Sequence, residues 1–151
     1  MNILNVREYI ETFLKIRTKD GALVPLRLNQ PQDRMYQAVK SQWDAGKPVR
    51  IIVLKARQMG FSTLTEAIIF AITATRLYTE CMIVAHKDEA TANLFRMSLR
   101  YYENLPEPMK PMRKASNAHE LVFDKPAHYK GRRPGLGSSI KCATAGGSGV
   151  G

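Results

Sequence analysis

Apolar positions recur along the chain in two forms, short continuous runs and stripes at helical spacing. Residues 51–54 are Ile-Ile-Val-Leu, and residues 81–85 are Cys-Met-Ile-Val-Ala. Short apolar runs of this kind are typical of buried strands. Each run is followed by apolar residues three and four positions apart, which is the spacing of one face of a helix. The pattern predicts strands at residues 50–54 and 81–85, and helices at residues 62–77 and 88–104.

Further elements are predicted on either side of these four. Helices are expected at residues 5–17 and 32–43, with an extended segment at residues 23–28 between them. Two later strand candidates, residues 120–123 and 138–143, predict a hairpin with a long basic loop. Because a strand, a helix and a second strand pair in parallel through a right-handed crossover, we expect an α/β fold. Its sheet should be mostly parallel and flanked by helices on both faces.

The segment between the first predicted strand and its helix has the layout of a phosphate-binding loop. The usual pattern is G-x-x-x-x-G-K-S/T, and aligning it on Gly60 places Phe61 in the lysine position and Lys55 in the first glycine position. Gly60 lets the backbone approach a phosphate at the start of a helix, where the dipole favours negative charge. Ser62 offers a hydroxyl where such loops bind magnesium. Lys55 and Arg57 supply positive charge for the phosphates.

Residues 55–63, Lys-Ala-Arg-Gln-Met-Gly-Phe-Ser-Thr, resemble the variant Walker A loop of large terminase subunits, the ATP-driven motors that package DNA into phage capsids. The resemblance implies a P-loop NTPase-like domain that binds ATP and Mg²⁺. It implies that Lys55 contacts the phosphates, that Arg57 acts as an arginine finger in cis, and that Ser62 binds magnesium with Thr63 near the α-phosphate. The departure from the family is Phe61 in place of lysine. The remaining residues expected to surround the nucleotide are Ala56, Gln58, Met59, Gly60 and Phe61.

Amide side chains precede the second predicted helix. An amide offers one donor and one acceptor side by side, which matches the edge of adenine. In terminases and related motors a glutamine before the first helix has that role, which points to Gln32, with Gln30 as the alternative. The other interpretation is a helix-capping segment with solvated amides.

Composition adds a preference for a polyanionic partner. The chain has 151 residues, with 23 Lys and Arg against 13 Asp and Glu, which gives a formal net charge of +10. Cys81 and Cys142 stand apart in apolar runs and are expected to be reduced core residues of a cytosolic protein. No apolar run approaches the length of roughly 18 residues needed to span a membrane, so no membrane partner is expected.

A Walker B strand, an apolar strand ending in two acids, is not evident. The candidate at residues 121–124 is short and lacks the second acid, so it fits the hairpin better. We therefore expect an incomplete domain, in which residues 1–22 form an N-terminal helix and turn and residues 23–151 form a partial P-loop ATPase domain. The Walker B strand and the nuclease domain of a terminase would be absent.

The resemblance implies an ATP hydrolase that powers packaging of double-stranded DNA into procapsids in the host cytoplasm. The implied partners are DNA, the portal, the small terminase subunit and further copies of the chain. This part alone is expected to be weakly active or inactive. Two alternatives remain open, a helicase-like P-loop ATPase and a non-catalytic basic nucleic-acid-binding module.

Overall fold

The computed structural model describes residues 4–54, 58–117 and 119–146. The helices are α1 (Leu4–Phe13), α2 (Gln30–Asp44), α3 (Phe61–Thr73) and α4 (Asp88–Glu103), with a 3-10 turn at Glu107–Met109. The strands are β1 (Lys15–Arg17), β2 (Leu23–Pro25), β3 (Glu80–Ala85), β4 (Ala115–Ser116), β5 (Glu120–Phe123) and β6 (Ser138–Thr144). No helix among these residues is long and apolar enough to cross a membrane.

The strands form two sheets. β1 and β2 make an antiparallel pair, and the main sheet has the order β3-β6-β5-β4. In the main sheet only β3 and β6 run parallel, with Ile83 opposite Cys142, whereas β5 pairs antiparallel with β6 and β4. The α/β class and the β5–β6 hairpin are confirmed. The prediction of a mostly parallel sheet is wrong for the described residues, because the hairpin strands outnumber the single parallel pair.

The predicted strand at residues 50–54 does not form. These residues pair with no other described strand. Ile51 packs partly against the core, whereas Ile52 and Leu54 are fully exposed. A strand needs a neighbour to accept its backbone hydrogen bonds, and the expected neighbour β3 pairs with β6 alone among the described strands.

Among the described residues, helices cover one face of the main sheet and leave the other uncovered. The side chains of Leu121, Phe123 and Ile140 point into a core shared with α3 and α4. On the opposite face Met82 and Val84 are about half exposed, beside the exposed Lys141. The expectation of helices on both faces is therefore wrong for the described part of the chain.

The N-terminal helix is shorter than its sequence pattern suggested. α1 ends at Phe13, and Lys15–Arg17, predicted to be helical, pairs with Leu23–Pro25 across a turn that contains Gly21. Gly21 has φ +85°, a conformation that glycine adopts without steric cost. The apolar stripe of α1 still enters the core, where Val6, Ile10 and Leu14 are fully buried. α1 packs against α3, the helix that follows the predicted phosphate loop.

Candidate nucleotide-binding site

The candidate site is built at the start of α3. Gly60 is the N-cap residue and has φ +76°, and no side chain among the described residues makes a cap hydrogen bond at the helix start. The first backbone hydrogen bond of the helix runs from the N–H of Leu64 to the carbonyl of Gly60, at 3.1 Å. The N–H groups of Phe61, Ser62 and Thr63 therefore lack acceptors within the helix. Uncapped N–H groups and the positive end of the helix dipole make this a suitable position for an anion.

The turn before α3 contains a second left-handed residue. Gln58 has φ +64°, which is uncommon for a residue with a side chain. Gln58 and Gly60 are thus both left-handed, and Gly60 leads directly into the helix. Lys55, Ala56 and Arg57 lie outside the described residues. The roles predicted for Lys55 and Arg57 therefore stay predictions.

Gln32 lies directly against this turn. Its Nε2 donates a hydrogen bond of 2.7 Å to the carbonyl of Gly60, and its Oε1 accepts one of 3.0 Å from the N–H of Asn29. Asn29 in turn accepts a bond from the N–H of Gln32 through its Oδ1, at 2.9 Å. The two side chains form a reciprocal capping box at the start of α2, in which Pro31 occupies the first turn.

These contacts bear on both interpretations of Gln32. The capping interpretation accounts for its bonds with Asn29, although the side chain is buried rather than solvated, with 4% of its surface exposed. Its Nε2 contact also brings it to the predicted phosphate loop. Adenine recognition stays a prediction, as does the alternative residue Gln30, which is the first residue of α2. The sequence pattern Asn-x-x-Gln before a helix was the signal for the Asn29 contact.

The second turn of α3 carries a buried carboxyl that the sequence pattern did not single out. Glu66 is 1% exposed and accepts a hydrogen bond of 2.8 Å from the hydroxyl of Ser98 on α4. Burial raises the pKa of Glu66 to about 7, and the bond from Ser98 opposes that rise. Glu66 and Ser62 line the same cavity of about 230 Å³, together with Val53 and Ile83.

The sequence feature that could have predicted the burial of Glu66 was the lack of a polar stripe on its helix. Between Leu64 and Thr73 the polar residues are few, and a helix that is apolar around most of its circumference is buried on most sides. A second hydrogen bond joins the same two helices, since the Tyr101 hydroxyl donates a 3.1 Å bond to the carbonyl of Thr63. These two side-chain bonds hold α4 against the first two turns of α3, directly behind the predicted phosphate loop.

The predicted magnesium ligand and its neighbours lie together in the first turn of α3. Ser62 is exposed, and Phe61 and Thr63 are partly buried. Met59 precedes Gly60 in the turn, and its carbonyl lies 3.5 Å from Nδ2 of Asn29. The described members of the predicted set, Gln32 and residues 58–63, are thus adjacent in space.

Comparison with known proteins gives a likeness in fold. No protein-family model matches the sequence, and no curated protein does. A solved structure, the crystal structure of the HK97 bacteriophage large terminase, matches with a TM-score of 0.73 at 18% sequence identity. The match covers 99% of this chain and 28% of that chain, so this chain spans little more than a quarter of the terminase's length. The predicted resemblance is confirmed at the level of fold: the chain is similar to a segment of a phage large terminase.

Proposed function

We propose that this chain is the nucleotide-binding part of a large terminase ATPase, and that it binds ATP with Mg²⁺ at the start of α3. The observation that carries the proposal is the uncapped start of α3 behind Gly60, whose conformation and uncapped N–H groups suit a phosphate. The fold likeness to a large terminase supports the same assignment.

The residues present fit such a ligand. The N–H groups of Phe61, Ser62 and Thr63 would hold phosphate oxygens, and the exposed hydroxyl of Ser62 would hold the magnesium ion. Lys55 and Arg57 are proposed to supply positive charge from the N-terminal side of the loop, with Ala56, Gln58 and Met59 completing its backbone. The magnesium ion, when bound with ATP, neutralises charge on the phosphates.

We extend this proposal to the function of a whole terminase. The full protein would use ATP hydrolysis to move double-stranded DNA into a procapsid in the host cytoplasm. Its partners would be DNA, the portal, the small terminase subunit and copies of itself. We propose that residues 23–151 belong to a partial ATPase domain. Since residues 121–123 are part of hairpin strand β5, no acidic pair is assigned to position water, and we expect weak hydrolysis.

A second candidate function is a basic nucleic-acid-binding module without ATPase activity. The formal net charge of +10 favours it. It differs from the preferred proposal in one measurable property, since ATP analogues would neither bind the chain nor protect it from unfolding.

Nucleotide binding by the Lys55→Ala variant tests the preferred proposal. Titration calorimetry with a non-hydrolysable ATP analogue and Mg²⁺ should give an affinity at least about tenfold lower than that of the unaltered chain, because a hydrogen bond to a charged group contributes about 1.5–3 kcal/mol. Lys19→Ala is the matched control, because Lys19 is an exposed lysine in the turn between β1 and β2. Equal affinities of the two variants would remove Lys55 from its proposed role.

A further inference from the structure

We propose that Gln32 is a positioning residue that orients the backbone of the phosphate loop, and that it contributes to nucleotide binding without regard to the base. The inference rests on the proposed function of the same site. It assigns to Gln32 a role distinct from adenine recognition.

The argument begins with the polar atoms of the amide. Oε1 of Gln32 accepts from the N–H of Asn29, and Nε2 donates to the carbonyl of Gly60. With 4% of its surface exposed, the side chain has little contact with solvent, so both bonds are needed to offset its burial. The 2.7 Å bond to Gly60 joins residues that are 28 positions apart in the sequence.

The lack of a side chain at Gly60 allows this contact with Gln32. A Cβ atom at Gly60 would lie 2.6 Å from Nε2 of Gln32, closer than real Cβ contacts allow. Its carbonyl accepts both from Gln32 and from the N–H of Leu64, at 3.1 Å, which uses both lone pairs of the oxygen. The glycine is therefore required for the approach of the amide as well as for its positive φ.

The geometry of the peptide bond links the orientation of the Gly60 carbonyl to that of the next N–H group, on the phosphate side. In a trans peptide the C=O of one residue and the N–H of the next point in opposite directions. The chain contains no cis bond among its described residues. Holding the carbonyl of Gly60 toward α2 therefore directs the N–H of Phe61 away from α2. Nδ2 of Asn29 lies 3.5 Å from the carbonyl of Met59, which directs the N–H of Gly60 in the same sense.

Two successive N–H groups are thus turned outward by two side chains of one capping box. N–H groups that point into a common space form an anion-binding concavity. A phosphate is bound through its charge and oxygens, whichever base the nucleotide carries. Loss of the Gln32 contact should therefore weaken all triphosphates in equal proportion.

Two substitutions separate this role from helix capping. Gln32→Glu keeps an acceptor for the N–H of Asn29, because glutamate is a usual partner in the capping box, but it has no N–H to donate to Gly60. Gln32→Met is neutral and similar in length, and lacks both donor and acceptor. A loss seen in both variants follows from the missing donor, whereas a loss confined to Gln32→Glu follows from the added charge. Gln37→Ala is the matched control, since Gln37 is exposed on the same helix.

The experiment measures the affinity of each full-length variant for three probes, each with Mg²⁺: a non-hydrolysable ATP analogue, the corresponding GTP analogue and inorganic tripolyphosphate. We expect both Gln32 variants to lose about tenfold for all three probes, as for one lost hydrogen bond, while Gln37→Ala is unchanged. Both variants lose the bond to the carbonyl of Gly60 at a buried position, so thermal unfolding should show lower stability for both. Binding is therefore measured at a temperature at which circular dichroism shows every variant to be folded. A purely structural role for Gln32 would lower the melting temperature without weakening binding by the folded chain.

Four results would overturn the inference. A loss confined to the ATP analogue would show that Gln32 reads adenine. Unchanged affinity in both variants, or a loss in Gln32→Glu alone, would show that the donor to Gly60 does not matter. If the unaltered chain binds none of the probes, the proposed function fails and this inference fails with it.

Discussion

At the scale of single residues, the most unusual environment is that of the Glu66 carboxyl. It is almost fully buried between α3 and α4, and its one hydrogen bond in the described structure comes from Ser98. The Glu66 carboxylate also affects Cys142. Burial of the Cys142 thiol, as the larger cause, and the negative charge of Glu66 together raise the pKa of Cys142 to about 12. A buried carboxyl with one neutral partner is costly to ionise.

We predict that Glu66 makes the stability of the chain depend on pH. Its pKa rises from the ordinary 4.5 to about 7 on folding, so the folded state holds the proton more tightly than the unfolded state. Stability from this group is fully present below pH 4.5 and is lost as the pH rises through about 7. Glu66→Gln should abolish this dependence and raise the free energy of unfolding at about pH 8 by up to about 3 kcal/mol, measured by urea unfolding.

The control for Glu66 is a carboxylate on the surface. Glu89→Gln, at an exposed position in the first turn of α4, should leave the slope of stability against pH between 4.5 and about 7 unchanged. The amide introduced by Glu66→Gln keeps an oxygen for the Ser98 hydroxyl and has nearly the same shape as the carboxyl, so packing is retained. If Glu66→Gln and the unaltered chain had the same pH profile, the carboxyl would already be ionised at low cost in the fold.

At the scale of elements, residues 50–54 show why an apolar run does not make a strand by itself. Ile51 and Val53 line a cavity of about 390 Å³ between α2 and α3, while Ile52 and Leu54 point into solvent. The alternation of side chains is that of an extended chain, with one side against the helices. The other side has no described strand beside it.

We predict that the two neighbouring isoleucines differ in their contribution to stability. Ile52→Ser should change the free energy of unfolding by less than about 0.5 kcal/mol, because the side chain is already exposed. Ile51→Ser should lower it by roughly 1–2 kcal/mol, because half-buried apolar contacts are lost. Chemical unfolding of both variants gives the comparison. Equal, large losses would indicate a segment buried on both sides, as the sequence pattern alone predicts.

At the scale of the whole molecule, positive charge and a one-sided sheet are the main features. The formal net charge is +10, and exposed basic residues occur in the loop between β5 and β6, including Lys130, Arg132 and Arg133. Phosphate contacts by such residues release counterions, so they make affinity for DNA depend on salt.

We predict salt-dependent binding of double-stranded DNA by the chain. If about six phosphates are contacted, the affinity should fall roughly 10³-fold between about 50 and 200 mM salt. Fluorescence anisotropy with a labelled duplex measures the slope, and Arg132→Ala should reduce it by about one if that residue contacts a phosphate. An affinity that did not vary with salt would exclude a phosphate-based interface.

Local sequence signals determined most of the regular elements of this protein. The apolar stripes and their flanking residues predicted α2, α3 and α4 with ends within a few residues, and the β5–β6 hairpin followed from two short strand candidates. The loop around Gly60 was also evident, because its glycine and the following helix are adjacent in the chain. Such signals lie within a few turns of backbone, where periodicity and capping act.

Tertiary structure alone decided which strands pair and which side chains meet at the site. The parallel partner of β3 is β6, far later in the chain, and residues 50–54 remain without a described partner. Glu66 becomes buried only when α4 packs on α3, and Gln32 reaches Gly60 only when α2 does. Periodicity predicts which face of an element is apolar, but the partner of that face is chosen by contacts between distant parts of the chain, whose free energies depend on the assembled core.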